Sequence, residues 1–236
     1  WMRKEVQKIK GRKISFGMQP DSDVRFEHME NIGFDSMELK LAVRQKILRA
    51  RLKTTGIHNV MNAMAACAAA LELGFDPEEM RAGLESFVPL KMRFEQTQLV
   101  NGVRLINDAY NANPVSMEMA FETVARQPRA GRFLAVLGDM KELGEASQKL
   151  HQETGRKAVQ CGADILFVVG EFASAVAEGA KQAGLDHGKI MTFEAVEALI
   201  ENLEGKMKSG DIILVKASRA MQLERVAVAL KEKFGD

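Results

Sequence analysis

From Val103 onward the chain alternates short apolar runs, the first interrupted by Arg104, with amphipathic stretches of helical period, and this alternation limits the fold more than any other feature. The apolar runs lie at 103–106, 133–137, 165–169, 190–192 and 212–215, and the helical patterns at 115–126, 146–160, 172–183, 195–203 and 220–232. A strand that is apolar on successive residues must be covered on both faces, and the helices that connect parallel strands supply that cover. The expectation is an α/β fold with a doubly wound, mostly parallel sheet. At its start, runs at 94–100 and 103–106 flank Asn101-Gly102, a pair suited to a tight type I′ hairpin turn.

The front of the chain reads differently. Residues 3–10 mix Lys, Glu and Gln with Val6 and Ile9 at a helical interval, as in the tail of a helix. A short strand is expected over 13–17, and looser alternation over 21–31, 36–43 and 47–52 suggests a small, mostly antiparallel set with Gly33 in a turn. From Thr54 the period becomes helical and Ala-rich, closed by Gly74, and Asp76-Pro77 then opens a second helix running to Phe87. The Pro-containing break at 88–92 is the expected domain boundary, giving 1–92 and 93–236. A chain of 236 residues is long enough for two cores.

Charge is nearly balanced, 33 Lys and Arg against 32 Asp and Glu, so nothing argues for nucleic acid or an anionic membrane as partner. No stretch approaches the ~20 apolar residues of a membrane helix. The two cysteines lie far apart without metal spacing, as expected of reduced thiols in a cytoplasmic protein. The opening residues Trp1-Met2-Arg3-Lys4-Glu5 resemble neither a signal peptide nor an initiator sequence, so the chain reads as starting inside a longer one.

If the sheet is parallel, several polar clusters share one edge, because each follows a strand: 108–113, 138–140, 170–171 and 216–219. Neither GxGxxG at the first strand-to-helix turn nor GxxxxGK[ST] occurs. Asn113 with Pro114 is a good helix start. Asp108 is either a turn aspartate or an acceptor for a ribose hydroxyl. Arg93 either clamps a phosphate or forms an interdomain salt bridge. Lys216, Ser218 and Arg219 either sit at a solvated helix start or offer donors to an anionic ligand there. Asn59 and Asn62 share a face of the Ala-rich helix, as caps or as partners for an adenine edge. His151 is expected in ordinary packing or surface use, and the acids of 139–145 in a solvated loop.

The segments Gly56-Ile57-His58-Asn59-Val60-Met61-Asn62-Ala63, Arg93-Phe94-Glu95, Asn107 to Met117, Leu137-Gly138-Asp139-Met140-Lys141-Glu142-Leu143-Gly144 and Val215-Lys216-Ala217-Ser218-Arg219 together resemble, in that order, the Mur ligases. These are ATP-dependent amide ligases of peptidoglycan precursor synthesis. The wording of the 108–117 and 137–144 segments resembles the member that joins D-alanyl-D-alanine to UDP-N-acetylmuramoyl-tripeptide. The resemblance implies that 1–92 is the tail of a central ATP-binding domain, small strands plus helices, and 93–236 a complete Rossmann-like C-terminal domain. It places the phosphate loop, the Mg2+ ligands and the UDP-substrate domain upstream of Trp1, leaving no catalytic or metal residue in this chain and no ligation by the chain alone.

The implied mechanism has the tripeptide carboxylate attack the γ-phosphate of ATP, after which the dipeptide amine displaces phosphate from the acyl phosphate. By matching motif, Asn59 and Asn62 lie near the adenine, Arg93 near the phosphates and Asp108 at the ribose. Tyr110, Asn111 and Asn113 line the same crevice, and Lys216, Ser218 and Arg219 face the peptide end or incoming dipeptide. Ala217 and Ala220 stand where the resemblance leads one to expect Gly. A folate polyglutamate ligase and a non-catalytic binding module of the same fold remain alternatives. The sequence leaves oligomeric state open.

Overall fold

The computed structural model describes residues 6, 8, 10–32 and 35–235. The helical tail expected over 3–10, apart from residues 6, 8 and 10, and the turn at Gly33 fall outside them. The chain divides into two compact units, one ending at Val88 and the other starting at Pro89.

The first unit is a four-stranded sheet, β1 (Phe16–Gly17), β2 (Val24–Ile32), β3 (Ser36–Val43) and β4 (Lys46–Leu52), paired in that order. β1 runs parallel to β2, and the other pairs are antiparallel. β1 is shorter than expected: the Asp23 carboxylate takes the Ser15 N–H (2.9 Å) and its hydroxyl (2.8 Å), although the Ser15 carbonyl still accepts the Val24 N–H (2.9 Å). Helix α1 (Ile57–Glu72) buries Val60, Ala63, Met64, Cys67 and Ala68. That i, i+3, i+4, i+7 stripe packs with Met37, Leu39 and Leu41 of the sheet. α1 ends in a Schellman arrangement: Gly74 is left-handed (φ 87°), with Phe75 N–H on Ala70 O (3.1 Å) and Gly74 N–H on Leu71 O (3.3 Å). Helix α2 (Pro77–Glu85) starts with a reciprocal capping box between Asp76 and Glu79 and stops two residues short of Phe87.

The second unit is a six-stranded sheet. Its strands are β5 (Glu95–Gln98), β6 (Arg104–Asn107), β7 (Phe133–Gly138), β8 (Ile165–Val169), β9 (Ile190–Phe193) and β10 (Ile212–Lys216), in the order β5-β6-β10-β7-β8-β9. Only β5 is antiparallel to its neighbour. The helices are α3 (Pro114–Ala125), α4 (Ser147–Gln160), α5 (Ala173–Gln182), α6 (Val196–Lys206) and α7 (Glu224–Phe234). Successive strand residues feed two cores. Ile106, Leu137, Val168 and Leu214 meet α3, α4 and α5 through Phe121, Ala158 and Val176. Leu105, Val136, Phe167 and Val215 meet α6 and α7 through Leu199, Leu203 and Leu230. The doubly wound, mostly parallel sheet is therefore present; its central strands β7 and β8 are apolar and buried throughout because both faces are covered, whereas the edge strand β5 (Glu-Gln-Thr-Gln) is polar and only half-buried.

Two local expectations need correction. Asn101 (φ 57°) and Gly102 (φ 70°) are both left-handed, and Val103 N–H reaches Val100 O at 3.3 Å, but Gln98 pairs with Arg104. Val100 therefore joins the loop, which is one residue longer than a two-residue hairpin. The last helix begins at Glu224 rather than 220, because residues 219–221 form a 3-10 turn and Gln222 is left-handed (φ 49°), which no continuous α-helix accommodates.

Candidate functional site

In the second unit, Val215 sits beside Asn107, Lys216 beside Leu137 and Gly138 beside Val169, so the segments that follow β6, β7, β8 and β10 emerge on one edge of the sheet. Such an edge leaves oriented backbone groups facing outward and is where ligands bind in open α/β sheets. Asp108 lies at the head of the first segment. Its Oδ1 accepts the Phe94 N–H (3.0 Å) and its Oδ2 the Lys216 ammonium (2.6 Å). Lys216 is buried, its side chain 3% exposed against 17% for Asp108, and its Nζ also donates to Asn111 O (3.1 Å). Lys216 is thus not a cation at a solvated helix start; it is half of a buried ion pair.

Around that pair the exposed groups gather. Tyr110 N–H donates to Met92 O (3.1 Å), which ties the loop to the segment before β5. Tyr110 is 43% exposed, and the Arg93 guanidinium carbon lies 4.2 Å from its ring centroid. Arg93 forms no ion pair with a carboxylate among the described residues. Asn113 spends its carbonyl on capping α3: Oδ1 accepts Ser116 N–H (2.8 Å), while Ser116 Oγ accepts Asn113 N–H (3.0 Å). Asn111 is exposed, with Oδ1 accepting the Ala112 N–H (2.9 Å). Arg219 is exposed but paired with Glu224 (2.5 Å). Ser218 is buried and bridges two loops, its Oγ accepting Lys141 N–H (2.9 Å) and donating to Ala112 O (3.3 Å).

The sequence missed the residue that holds this edge together. Asp139, expected in a solvated loop, is 2% exposed. Its carboxylate accepts from Lys141 Nζ (2.9 Å), Glu171 N–H (3.0 Å) and Phe172 N–H (3.1 Å), and its carbonyl from Ser218 N–H (3.0 Å). The available signal was Gly170: a Cβ there would lie 2.4 Å from Asp139 Oδ1, and its φ is 127°. His151 takes the packing alternative of the two expected for it and is 1% exposed. Nε2 accepts the Met140 N–H (2.9 Å), which leaves Nδ1 to donate to Ser147 O (2.7 Å), and the ring stacks on Phe172.

In the first unit, α1 and α2 line an open, mostly apolar cavity of about 470 Å³ that includes Asn59, Asn62, Ala66, Met80 and Phe87. Neither Asn caps α1, whose N-cap is Gly56. Asn59 Nδ2 donates to Thr54 Oγ1 (2.8 Å) and Thr55 O (2.9 Å), while Asn62 is exposed. Burial pushes the Cys67 thiol, also on the cavity wall, up to about 11, and raises Cys161. Both therefore stay protonated at neutral pH, as unreactive thiols. Among the described residues no three His, Cys, Asp or Glu side chains converge on a metal position, and no helix is long and apolar enough to cross a membrane.

Residues 92–219, more than half of the chain, match the family described as Mur ligase, glutamate ligase domain. The chain is 37% identical over 177 residues to the UDP-N-acetylmuramoyl-tripeptide–D-alanyl-D-alanine ligase of Bacillus subtilis, an alignment covering 75% of this chain and 38% of that one. Among solved structures it resembles MurF from Acinetobacter baumannii (TM-score 0.80, 31% identity, 93% of this chain and 46% of that one). It also resembles the MurF ligase of Thermotoga maritima in complex with ADP (TM-score 0.81, 26% identity, 98% and 51%). The chain thus spans about half or less of the proteins it matches. The agreement of the matched segment, the doubly wound sheet and the polar edge places the chain in the Mur ligase family.

Proposed function

We propose that this chain is part of an ATP-dependent ligase that adds D-alanyl-D-alanine to UDP-N-acetylmuramoyl-tripeptide through an acyl phosphate, in the cytoplasm, with Mg2+ accompanying ATP. The observation that carries the reading is Arg93: a guanidinium without a carboxylate partner among the described residues, seated over the exposed Tyr110 ring at the ligand edge of the sheet. A planar cation of this kind suits a phosphate oxygen pair, and the aromatic face fixes its orientation. A similar protein, the Thermotoga maritima ligase, was solved with ADP. Tyr110, Asn111 and Asn113 are assigned beside Arg93, and Asp108 to the ribose through the fraction of its carboxylate that remains exposed. Residues 1–92 are assigned to the tail of a central ATP-binding domain and 93–236 to the C-terminal domain. No described residue is assigned to the metal or to a phosphate loop.

For the first unit the proposal is separate. Asn62 presents an exposed amide, without a hydrogen-bond partner among the described residues, at the rim of an apolar cavity, a setting suited to the edge and face of an adenine. Asn59 supports it by fixing Thr54 and Thr55. Arg219, exposed at the same edge of the sheet as Arg93, is assigned to the incoming dipeptide.

The test uses a chimera in which this chain replaces the matching C-terminal part of the Bacillus subtilis ligase. Arg93→Met should raise the KM for ATP at least tenfold, a loss of about 1.4 kcal/mol of binding, and leave the KM for D-alanyl-D-alanine unchanged. No change for ATP, or equal changes for both substrates, removes the assignment.

A further inference from the structure

Lys216 is the last residue of β10, which ends on the ligand edge, yet its ammonium points inward. A buried lysine needs compensation for lost hydration, and here it is an ion pair plus a carbonyl. What is informative is where those partners sit. Asp108 Oδ2 accepts a hydrogen bond from the Lys216 ammonium at 2.6 Å while Oδ1 accepts the Phe94 N–H at 3.0 Å, one residue beyond Arg93. The second acceptor is Asn111 O at 3.1 Å, one residue beyond Tyr110. Tyr110 N–H closes the ring of contacts on Met92 O at 3.1 Å, one residue before Arg93. One neighbour of each half of the Arg93–Tyr110 stack, Phe94 through Asp108 and Asn111 directly, is therefore tied to one buried cation.

Neither partner of the stack would hold its place alone. Arg93 has no carboxylate partner among the described residues, and Tyr110 is half exposed, so each has only the other and its own backbone. Phe94 has a left-handed backbone (φ 54°), as does Met92 (φ 59°), a conformation that non-glycine residues keep only when neighbouring contacts enforce it. The Asp108 carboxylate on the Phe94 N–H and the Tyr110 N–H on Met92 O are two such contacts, and the Glu95 carboxylate on the Met92 N–H (3.0 Å) is a third.

We propose that Lys216 is a positioning residue for the phosphate-binding pair: it contacts no ligand itself, and it holds Arg93 and Tyr110 in register through Asp108 and the Asn111 carbonyl. This rests on the reading of Arg93 as the phosphate ligand and replaces the substrate-facing role expected for Lys216.

Tyr110 is the only tyrosine in the chain, so its ring gives a single labelled signal set, and the Arg93 side-chain protons above it carry a ring-current shift. The experiment compares this shift in the 236-residue chain for the wild type, Lys216→Met, and the Asp108→Asn/Lys216→Met pair, which removes both charges together. Sheet methyl signals report folding. In at least one variant the methyl signals should stay at their wild-type positions while the Arg93 shift collapses toward that of an unstructured arginine. A folded variant that keeps the full Arg93 shift overturns the proposal, and so does unfolding of both variants, which would make the pair a general stability element. In the chimera, Lys216→Met should raise the KM for ATP and spare that for D-alanyl-D-alanine; equal effects on both would also overturn it. If Arg93→Met leaves the KM for ATP unchanged, the phosphate reading fails and the ring-current comparison still decides the role of Lys216.

Discussion

Replacing Asp139 separates architecture from chemistry in the most recognisable motif of the chain. The carboxylate is 2% exposed and accepts three donors: two backbone N–H groups, of Glu171 and Phe172, and the Lys141 ammonium. Asp139→Ala leaves both N–H groups without their acceptor, at about 1–3 kcal/mol each, and releases Lys141, which is partly exposed and adds little. Water entering the vacated space recovers part of this, so the expected loss is about 2–4 kcal/mol, a large fraction of the 5–15 kcal/mol typical of a domain. Asp139→Asn keeps one acceptor oxygen but turns an amide NH2 toward a second donor, so its loss should be about half as large. The assay is urea titration read by hydrogen exchange at the β7 and β8 amides, which report this unit alone. The Glu171 and Phe172 amides should exchange fastest relative to wild type. An Asp139→Ala chain within about 0.5 kcal/mol of wild type refutes the reasoning, since surface changes typically fall in that range.

Other consequences are equally direct. Gly179 lies where α4 and α5 cross so closely that a Cβ would sit 1.7 Å from Gln152 O; Gly179→Ala should destabilise by about 3 kcal/mol, and a thermal midpoint equal to wild type would contradict the close crossing. Asp211 is buried, which alone raises its pKa, but Arg132 and the N–H groups of Lys208 and Arg132 outweigh that and hold it below the usual carboxylate range. A depressed carboxylate contributes stability above its unfolded pKa of about 3.9 and loses it as pH falls through the lower folded value. Asp211→Asn should therefore destabilise at pH 7, with the gap to wild type narrowing below about pH 4; a gap that is constant with pH would show that the charge is not the cause. Tyr110→Ala should leave the urea midpoint near wild type, because the residue is nearly half exposed, and still raise the KM for ATP in the chimera; an unchanged KM would detach Tyr110 from the nucleotide.

The sheet was legible because its physics is local. Runs such as 133–137 and 212–215 are apolar on both faces, and Asn113-Pro114 writes its helix start into two adjacent residues. What stayed hidden depends on partners far along the chain. Nothing next to Lys216 reveals that its counter-charge is Asp108, 108 residues earlier, so a cation that ends a strand read as a surface donor. Asp139 looked like an ordinary loop acid because its partners lie after another strand, and His151 gave no hint that it receives the Met140 N–H. The late start of α7 turns on one backbone angle, at Gln222, a residue type with no strong left-handed preference. Ser218 shows the same limit: a hydroxyl in a basic segment suggests a ligand, whereas its position between Lys141 and Ala112 makes it a strut.

As proposed, this chain should do the work of the corresponding part of a D-alanyl-D-alanine-adding Mur ligase. The most direct test is product formation by the chimera with the Bacillus subtilis ligase, followed by mass spectrometry. UDP-N-acetylmuramoyl-pentapeptide and stoichiometric phosphate should form, and only when ATP, the UDP-linked tripeptide and D-alanyl-D-alanine are all present. A folded chimera that makes no pentapeptide, or that couples another amine in place of D-alanyl-D-alanine, would contradict it.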